Sequence, residues 1–236
     1  MILANEYSEK AHHWHALLPD LKQKVSPVVK PGLSKQLIWL DLSASNTELA
    51  QLDVVNTDAI GQYINGLLTQ HRAAGALGGY LENRLLYLRS QVFAGEEHRT
   101  LHLGLDIWLP AGEAIYAVLP GKVHSFADNA NFGDYGPTII LEHTEGSCTF
   151  YTLYGHLSRA SLEGIYSGKA VAGCELLATL GAEEENGHWP PHLHLQVMLD
   201  MEGRQGDFPG VAAPSQMAYY QQLCPDPNLL LAYPAD

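Results

Sequence analysis

Positive charge is scarce in this chain. Lys and Arg number 13 against 26 Asp and Glu in 236 residues, a formal charge of −13 with histidine neutral. Such a surface repels a polyanion instead of steering it in, so nucleic acid is not an expected partner. Anionic membranes and anionic wall polymers are disfavoured for the same reason. Cysteine is scarce too. Cys148, Cys174 and Cys224 are odd in number and widely spaced, which argues against a disulfide framework and suits a reducing compartment. No uninterrupted apolar run is long enough to span a bilayer, and no membrane association is expected. Met1 to Lys10 shows no basic stretch followed by an apolar one, so no secretory signal is expected and the expected localisation is cytoplasmic. No internal repeat or low-complexity tract stands out. What remains, 46% hydrophobic and 17% charged, is an ordered globular chain able to bury a sizeable core.

Three parts follow from the change in local style. Residues 1–95 have mixed α/β character and are expected to be an extension packing on the core. His12, His13 and His15 flank Trp14 there and are expected to be solvated or packed. Asn56 can cap a helix whose stripe is Ile60, Tyr63, Ile64, Leu67 and Leu68, with Gly75 as its stop. Leu85, Leu86, Tyr87 and Leu88 suggest a buried strand. From 96 to 200, short β-rich runs alternate with Gly, Pro, Asn and Asp. Ala114–Leu119, Lys122–Phe126, Thr138–His143, Thr149–Tyr154 and Leu193–Met198 are examples. The fold class expected is mainly β, a small antiparallel sheet or barrel. Residues 201–236 are expected to form a tail with one short helix near Ser215 to Leu223. The run Cys224-Pro-Asp-Pro-Asn is expected to block further regular structure.

Two histidine-bearing stretches carry the chemistry. His192 and His194 stand two apart, and side chains at that spacing on a strand share a face. His102 and Asp106, four apart, share a face on an extended segment as well. Two imidazoles, one carboxylate and a spare histidine are therefore on offer. Three nitrogen or oxygen ligands with an open fourth position is the arrangement of a catalytic zinc, whereas a structural zinc fills all four.

The ordered set His102-x-Gly104-x-Asp106, Ala111-Gly112, Gly121-Lys-Val, Asp134-Tyr-Gly136, Tyr154-Gly-His156-Leu-Ser and Pro191-His192-Leu-His194 resembles the lysostaphin/LytM-type zinc metallopeptidases over roughly residues 96–200. The resemblance implies a small, mostly antiparallel β-fold of the duplicated-hybrid-motif kind, with the metal in a groove across the sheet. It implies His102, Asp106 and His194 as zinc ligands and His156 and His192 as catalytic histidines, one accepting the water proton and the other donating to the oxyanion. Which does which stays open. His98, His124, His143 and His188 match no catalytic position. His143 is expected at a strand end and His188 at the groove mouth.

One departure is the stiff, aromatic lead Glu183-Glu-Glu-Asn-Gly-His-Trp-Pro-Pro before the paired histidines, where a glycine-rich lead is usual. A second resemblance, carried by Gly206-Asp-Phe-Pro-Gly and Cys224-Pro-Asp-Pro-Asn, is to peptidase-type modules joined to kinase-like and aminotransferase-like domains in intracellular proteins. It points toward a short peptide or small amide substrate and an intracellular protein partner. Two rival functions remain, a non-catalytic binding or regulatory module on the same fold and a histidine phosphocarrier. The carrier has no need of a carboxylate beside its histidine, so Asp106 argues against it.

Overall fold

The structure, a computed structural model, describes residues 2–234. The chain opens with helix α1 (Ile2–Lys22), which buries Trp14, Leu18 and Leu21 at helical spacing and leaves His12, His13 and His15 exposed. Strand β1 (Leu37–Leu40), helix α2 (Thr57–His71) and strand β2 (Gly75–Gly78) follow. Asn56 caps α2 by accepting from the Ala59 amide, and the helix buries Ile60 and Ile64, as its stripe requires. Its end differs from the expectation. Arg72, not Gly75, takes the left-handed terminal conformation, at φ 53°. Gly75 instead starts β2, where a Cβ would lie 2.5 Å from the Trp108 carbonyl oxygen. The glycine is there for close strand approach.

Leu85, Leu86, Tyr87 and Leu88 are not a strand. Leu85–Arg89 is a 3-10 helix in which Leu85 and Leu88 are exposed while Leu86 and Arg89 are buried. Residues three apart eclipse one another in that helix, and the exposure follows that period, not the alternation of a strand.

The β-rich region contributes β3 (Leu101–His102), β4 (Leu105–Trp108), β5 (Ala114–Tyr116), β6 (Gly121–Asn129), β7 (Gly136–Glu145), β8 (Cys148–Gly155), β9 (Ala170–Val171), β10 (Leu176–Thr179) and β11 (His192–Met198). After β12 (Val211–Ala212) come helix α3 (Met217–Leu223) and the single turn α4 (Asn228–Leu231). That last turn corrects the expectation that the prolines end regular structure. Pro227 precedes it at φ −61°, the value a helix start accepts.

Eight strands form one open sheet in the order β1-β2-β4-β11-β8-β7-β6-β9, all antiparallel except β1 with β2. The fold is thus mainly β, and the sheet does not close into a barrel. Smaller pairs, β5–β10 and β3–β12, lie beside it. The central strand β11 is buried along its whole length. Leu193, Leu195 and Val197 face the main core with Leu105 and Ile107 of β4. Period two then sends His192, His194 and Gln196 to the opposite face. His143 lies inside β7, not at its end. It is buried, with its ring bonded to the Pro120 carbonyl and the Thr152 hydroxyl. No described helix is long and apolar enough to cross a membrane.

Candidate metal and catalytic site

Register across three adjacent strands builds the site. His194 lies directly opposite Asp106 of β4 on one side and Gly155 of β8 on the other. His192 lies opposite Trp108 and stacks on its ring at 4.0 Å. His156 follows β8 immediately, at φ 61°. That left-handed backbone is strained for a residue with a Cβ.

His102 arrives differently from the expectation. It does not share one strand with Asp106. The chain leaves β3, which pairs with β12, and enters β4, which pairs with β2 and β11. The switch occurs at Leu103-Gly104. A Cβ on Gly104 would lie 2.6 Å from the His194 ring and 2.8 Å from the Leu195 carbonyl oxygen. Gly104→Ala is therefore expected to push the His194 ring aside. The costs are about 1–3 kcal/mol of stability from overpacking and weaker zinc binding. A thermal melt and a zinc titration both indistinguishable from wild type would contradict this.

Three ligand atoms converge. His102 Nε2 lies 3.1 Å from Asp106 Oδ1 and 3.0 Å from His194 Nδ1, which is 3.2 Å from the same oxygen. Their protons point elsewhere. His102 Nδ1 lies 2.7 Å from the Gly79 carbonyl oxygen, which only accepts, so Nδ1 carries the hydrogen. His194 Nε2 donates to Gln196 Oε1 at 2.9 Å, and the Gln196 amide nitrogen donates in turn to the Pro209 carbonyl. Three lone pairs thus face one point with no hydrogen between them, an arrangement that suits a cation. Bonds of about 2.0–2.1 Å in a tetrahedron set ligand atoms about 3.3 Å apart, near the spacing found. The residues fit zinc.

His156 and His192 flank this trio without joining it. Their rings are 4.2 Å apart, and His192 Nε2 lies 3.9 Å from Asp106 Oδ1. Each Nδ1 donates to a carbonyl oxygen, that of Asn186 for His156 and of Pro190 for His192, both at 2.8 Å. Each Nε2 is thereby left as a proton acceptor. All five residues are at most 5% exposed, so charge is scarcely screened among them. Burial pushes His102 and His192 down to about 4, and pushes His156 well below the ordinary histidine value, helped by neighbouring His192. Burial alone would raise Asp106, but His102, Arg84 and His192 draw it well below the usual carboxylate range. It is ionised at neutral pH.

These shifts set an acid limit for the metal-free protein. Unfolded histidines take up protons below about 6.5, while folded His102 and His192 resist down to about 4. In that window the unfolded state holds more protons. Stability is therefore full above about pH 6.5 and falls toward pH 4, by up to about 1.4 kcal/mol per pH unit per histidine. Chemical denaturation of the chelated protein across this range checks the slope. A flat profile would contradict the buried, neutral state of these rings.

A cavity of about 160 Å³ opens beside the histidines, bordered by Tyr87, Phe93, Tyr135, Trp189 and Phe208. Trp108 borders it too, and its buried Nε1 and the buried Tyr135 Oη have no hydrogen-bond partner among the described residues. His188 is exposed and packs on Phe132 at 5.5 Å. Trp189 is buried against Tyr87, His156 and His192, with Arg89 over its ring at 4.6 Å.

Several residues that shape the site escaped the sequence. Gly79 and Arg84 come from the segment before β3, and no spacing linked them to the histidines. Asn186, fully buried in the acidic lead, bonds Gly181 and Trp189 and offers its carbonyl to His156. Gln196 had a signal, since it continues the period-two face of His192 and His194.

Residues 100–206 match the family model described as Peptidase family M23. No curated protein matches this chain. Among solved structures, a zinc containing peptidase from Vibrio cholerae is similar at 28% identity, over 42% of this chain and 27% of that one, with a TM-score of 0.34. A putative peptidase M23 from Pseudomonas aeruginosa is similar at 25% identity, over 55% and 43%, with a TM-score of 0.37. The catalytic domain of lysostaphin from Staphylococcus simulans is similar at 19% identity, over 67% and 97%, with a TM-score of 0.41. This chain thus spans less than half the length of each of the first two.

Proposed function

We propose that the M23 domain of this chain is a zinc-dependent metallohydrolase that cleaves a peptide or amide bond with an activated water. The observation that supports this most is the convergence of three lone pairs from His102, Asp106 and His194. Those three residues would hold the ion, whose contribution when bound would be to acidify water and polarise a carbonyl group.

The remaining steps belong to side chains. His192 and His156 each keep an unprotonated Nε2 because their Nδ1 hydrogens are committed to backbone carbonyls. His192, with Asp106 Oδ1 at 3.9 Å, is the better placed to accept the proton of the attacking water. The carboxylate favours the imidazolium that results. It can then return that proton to the departing amine. His156 faces the same space and orients the carbonyl oxygen that gains charge, as a donor once protonated.

The net charge of −13 disfavours an anionic polymer as substrate. Short soluble peptides or small amides are the class we assign, and weak binding to purified peptidoglycan sacculi at physiological salt is expected. Strong sacculus binding with release of wall peptides would remove that assignment. The central test is metal content followed by a screen against short peptides, small amides and muropeptides. One zinc per chain, hydrolysis lost to a chelator and regained with zinc supports the proposal. Stoichiometric zinc without hydrolysis of any amide would favour a binding module.

A further inference from the structure

Two of the residues that orient the candidate ligands, Gly79 and Arg84, come from outside the matched domain. Segment 79–84 runs alongside β3 before the chain turns into it. Leu81 N–H donates to the His102 carbonyl, His102 N–H to the Glu82 carbonyl, and Arg84 N–H to the Thr100 carbonyl, at 2.7, 3.0 and 2.8 Å. That pairing aims two groups at the site. The Gly79 carbonyl holds the His102 ring hydrogen at 2.7 Å. The Arg84 guanidinium, 2% exposed, reaches Asp106 Oδ2 through Nη1 at 2.5 Å.

Arg84 is itself held on several sides. Its Nε donates to Glu82 Oε2 at 2.7 Å and its Nη1 to the Tyr87 hydroxyl at 3.1 Å. Glu82 is anchored through its other oxygen by the Leu42 amide at 2.9 Å. The guanidinium passes over Gly78, where a Cβ would stand 2.6 Å from Nη2. A planar fork fixed at both ends leaves Asp106 one rotamer. Oδ2 is occupied, and Oδ1 alone faces His102 Nε2 and His194 Nδ1.

We propose that Arg84 is a positioning residue of the metal centre. By occupying Asp106 Oδ2 it would leave that carboxylate a single oxygen, Oδ1, to offer a bound zinc. Two effects of Arg84 oppose each other. Its charge draws electron density from Asp106 and weakens the ligand. Its fork removes the rotamer freedom and second-oxygen binding that Asp106 would otherwise have. Glu82, paired with Arg84 on the far side, offsets much of the charge. Orientation therefore wins, and loss of Arg84 weakens binding. The inference rests on the zinc assignment proposed above and extends the centre to residues upstream of the matched domain.

The test uses the full chain with Arg84→Met and Arg84→Lys. Its readouts are zinc affinity by chelator competition, the visible spectrum of the cobalt(II) form, and melting of the metal-free protein. Outer partners of metal ligands typically govern affinity by about 10–100-fold, and a loss in that range is expected for Arg84→Met. A lysine keeps the charge but cannot hold Glu82, Tyr87 and Asp106 together. Arg84→Lys should therefore still lose roughly tenfold. Four-coordinate cobalt absorbs visible light more strongly than five-coordinate cobalt, so weaker bands are expected once both Asp106 oxygens are free to bind. If Arg84→Met fails to fold, Arg84→Lys decides alone. A folded variant with wild-type zinc affinity and cobalt spectrum would overturn the role of Arg84, even if its melting temperature fell. Wild-type protein that takes up no zinc would overturn the metal assignment itself.

Discussion

Asp106→Ala is expected to abolish stoichiometric zinc binding. The substitution removes the only anionic atom of the converging trio and leaves two neutral imidazoles. Affinity should fall by more than about a hundredfold, beyond the usual effect of losing an outer partner. The metal-free fold should suffer as well. Arg84 is 2% exposed and would keep Glu82 as its one ion-pair partner, and stripping one side of a buried ion pair costs about 3–5 kcal/mol. Asp106→Asn separates the two effects, because it keeps the shape and an oxygen for Arg84 while losing the charge. Metal analysis after dialysis and melting of the chelated protein supply both readouts. Tight one-to-one zinc in Asp106→Ala would show that the ligand set is wrong.

The second large effect is on turnover. His156→Ala and His192→Ala should each lower hydrolysis by about a hundredfold or more, the usual scale for a positioned acid, base or oxyanion donor. Zinc content should stay near one per chain, because neither ring contributes to the trio of mutually close ligand atoms. Loss of zinc from His192→Ala would mean that ligand and base have been exchanged within the pair two residues apart. Burial holds His192 well below the ordinary histidine value, so turnover that needs its unprotonated ring should be lost only on the acid side of neutrality.

The sequence was most informative where strand parity decides. His192, His194 and Gln196 alternate with Leu193, Leu195 and Val197, and β11 sends the two sets to opposite faces. The span of roughly 96–200 singled out by ordered motifs agrees with the match at residues 100–206. Parity failed between His102 and Asp106, because it assumed one strand and the chain changes sheets at Gly104. A different signal misled at Leu85 to Leu88, where apolar residues in succession carry no period and the three-residue turn emerged only from exposure. The β1–β2 arm could not be read because each strand is only four residues long. Arg84 was invisible for another reason. Its partners Glu82, Tyr87 and Asp106 meet through tertiary pairing, and nothing in a linear pattern marks an arginine as buried.

The change of sheets at Gly104 has a mechanical consequence. His102 belongs to the small β3–β12 ladder, while Asp106 and His194 belong to the large sheet. An ion gripped by all three would rivet one ladder to the other. Zinc in thousandfold excess over its dissociation constant would stabilise the whole by about 4.1 kcal/mol, and that energy would resist any opening that parts the ladders. Val211 and Ala212 of β12 touch no ligand in sequence, yet their pairing with His102 and Leu101 places them on the riveted seam. Amide hydrogens there should exchange with solvent at a pace set by free zinc, as though the tail of the chain could sense the metal.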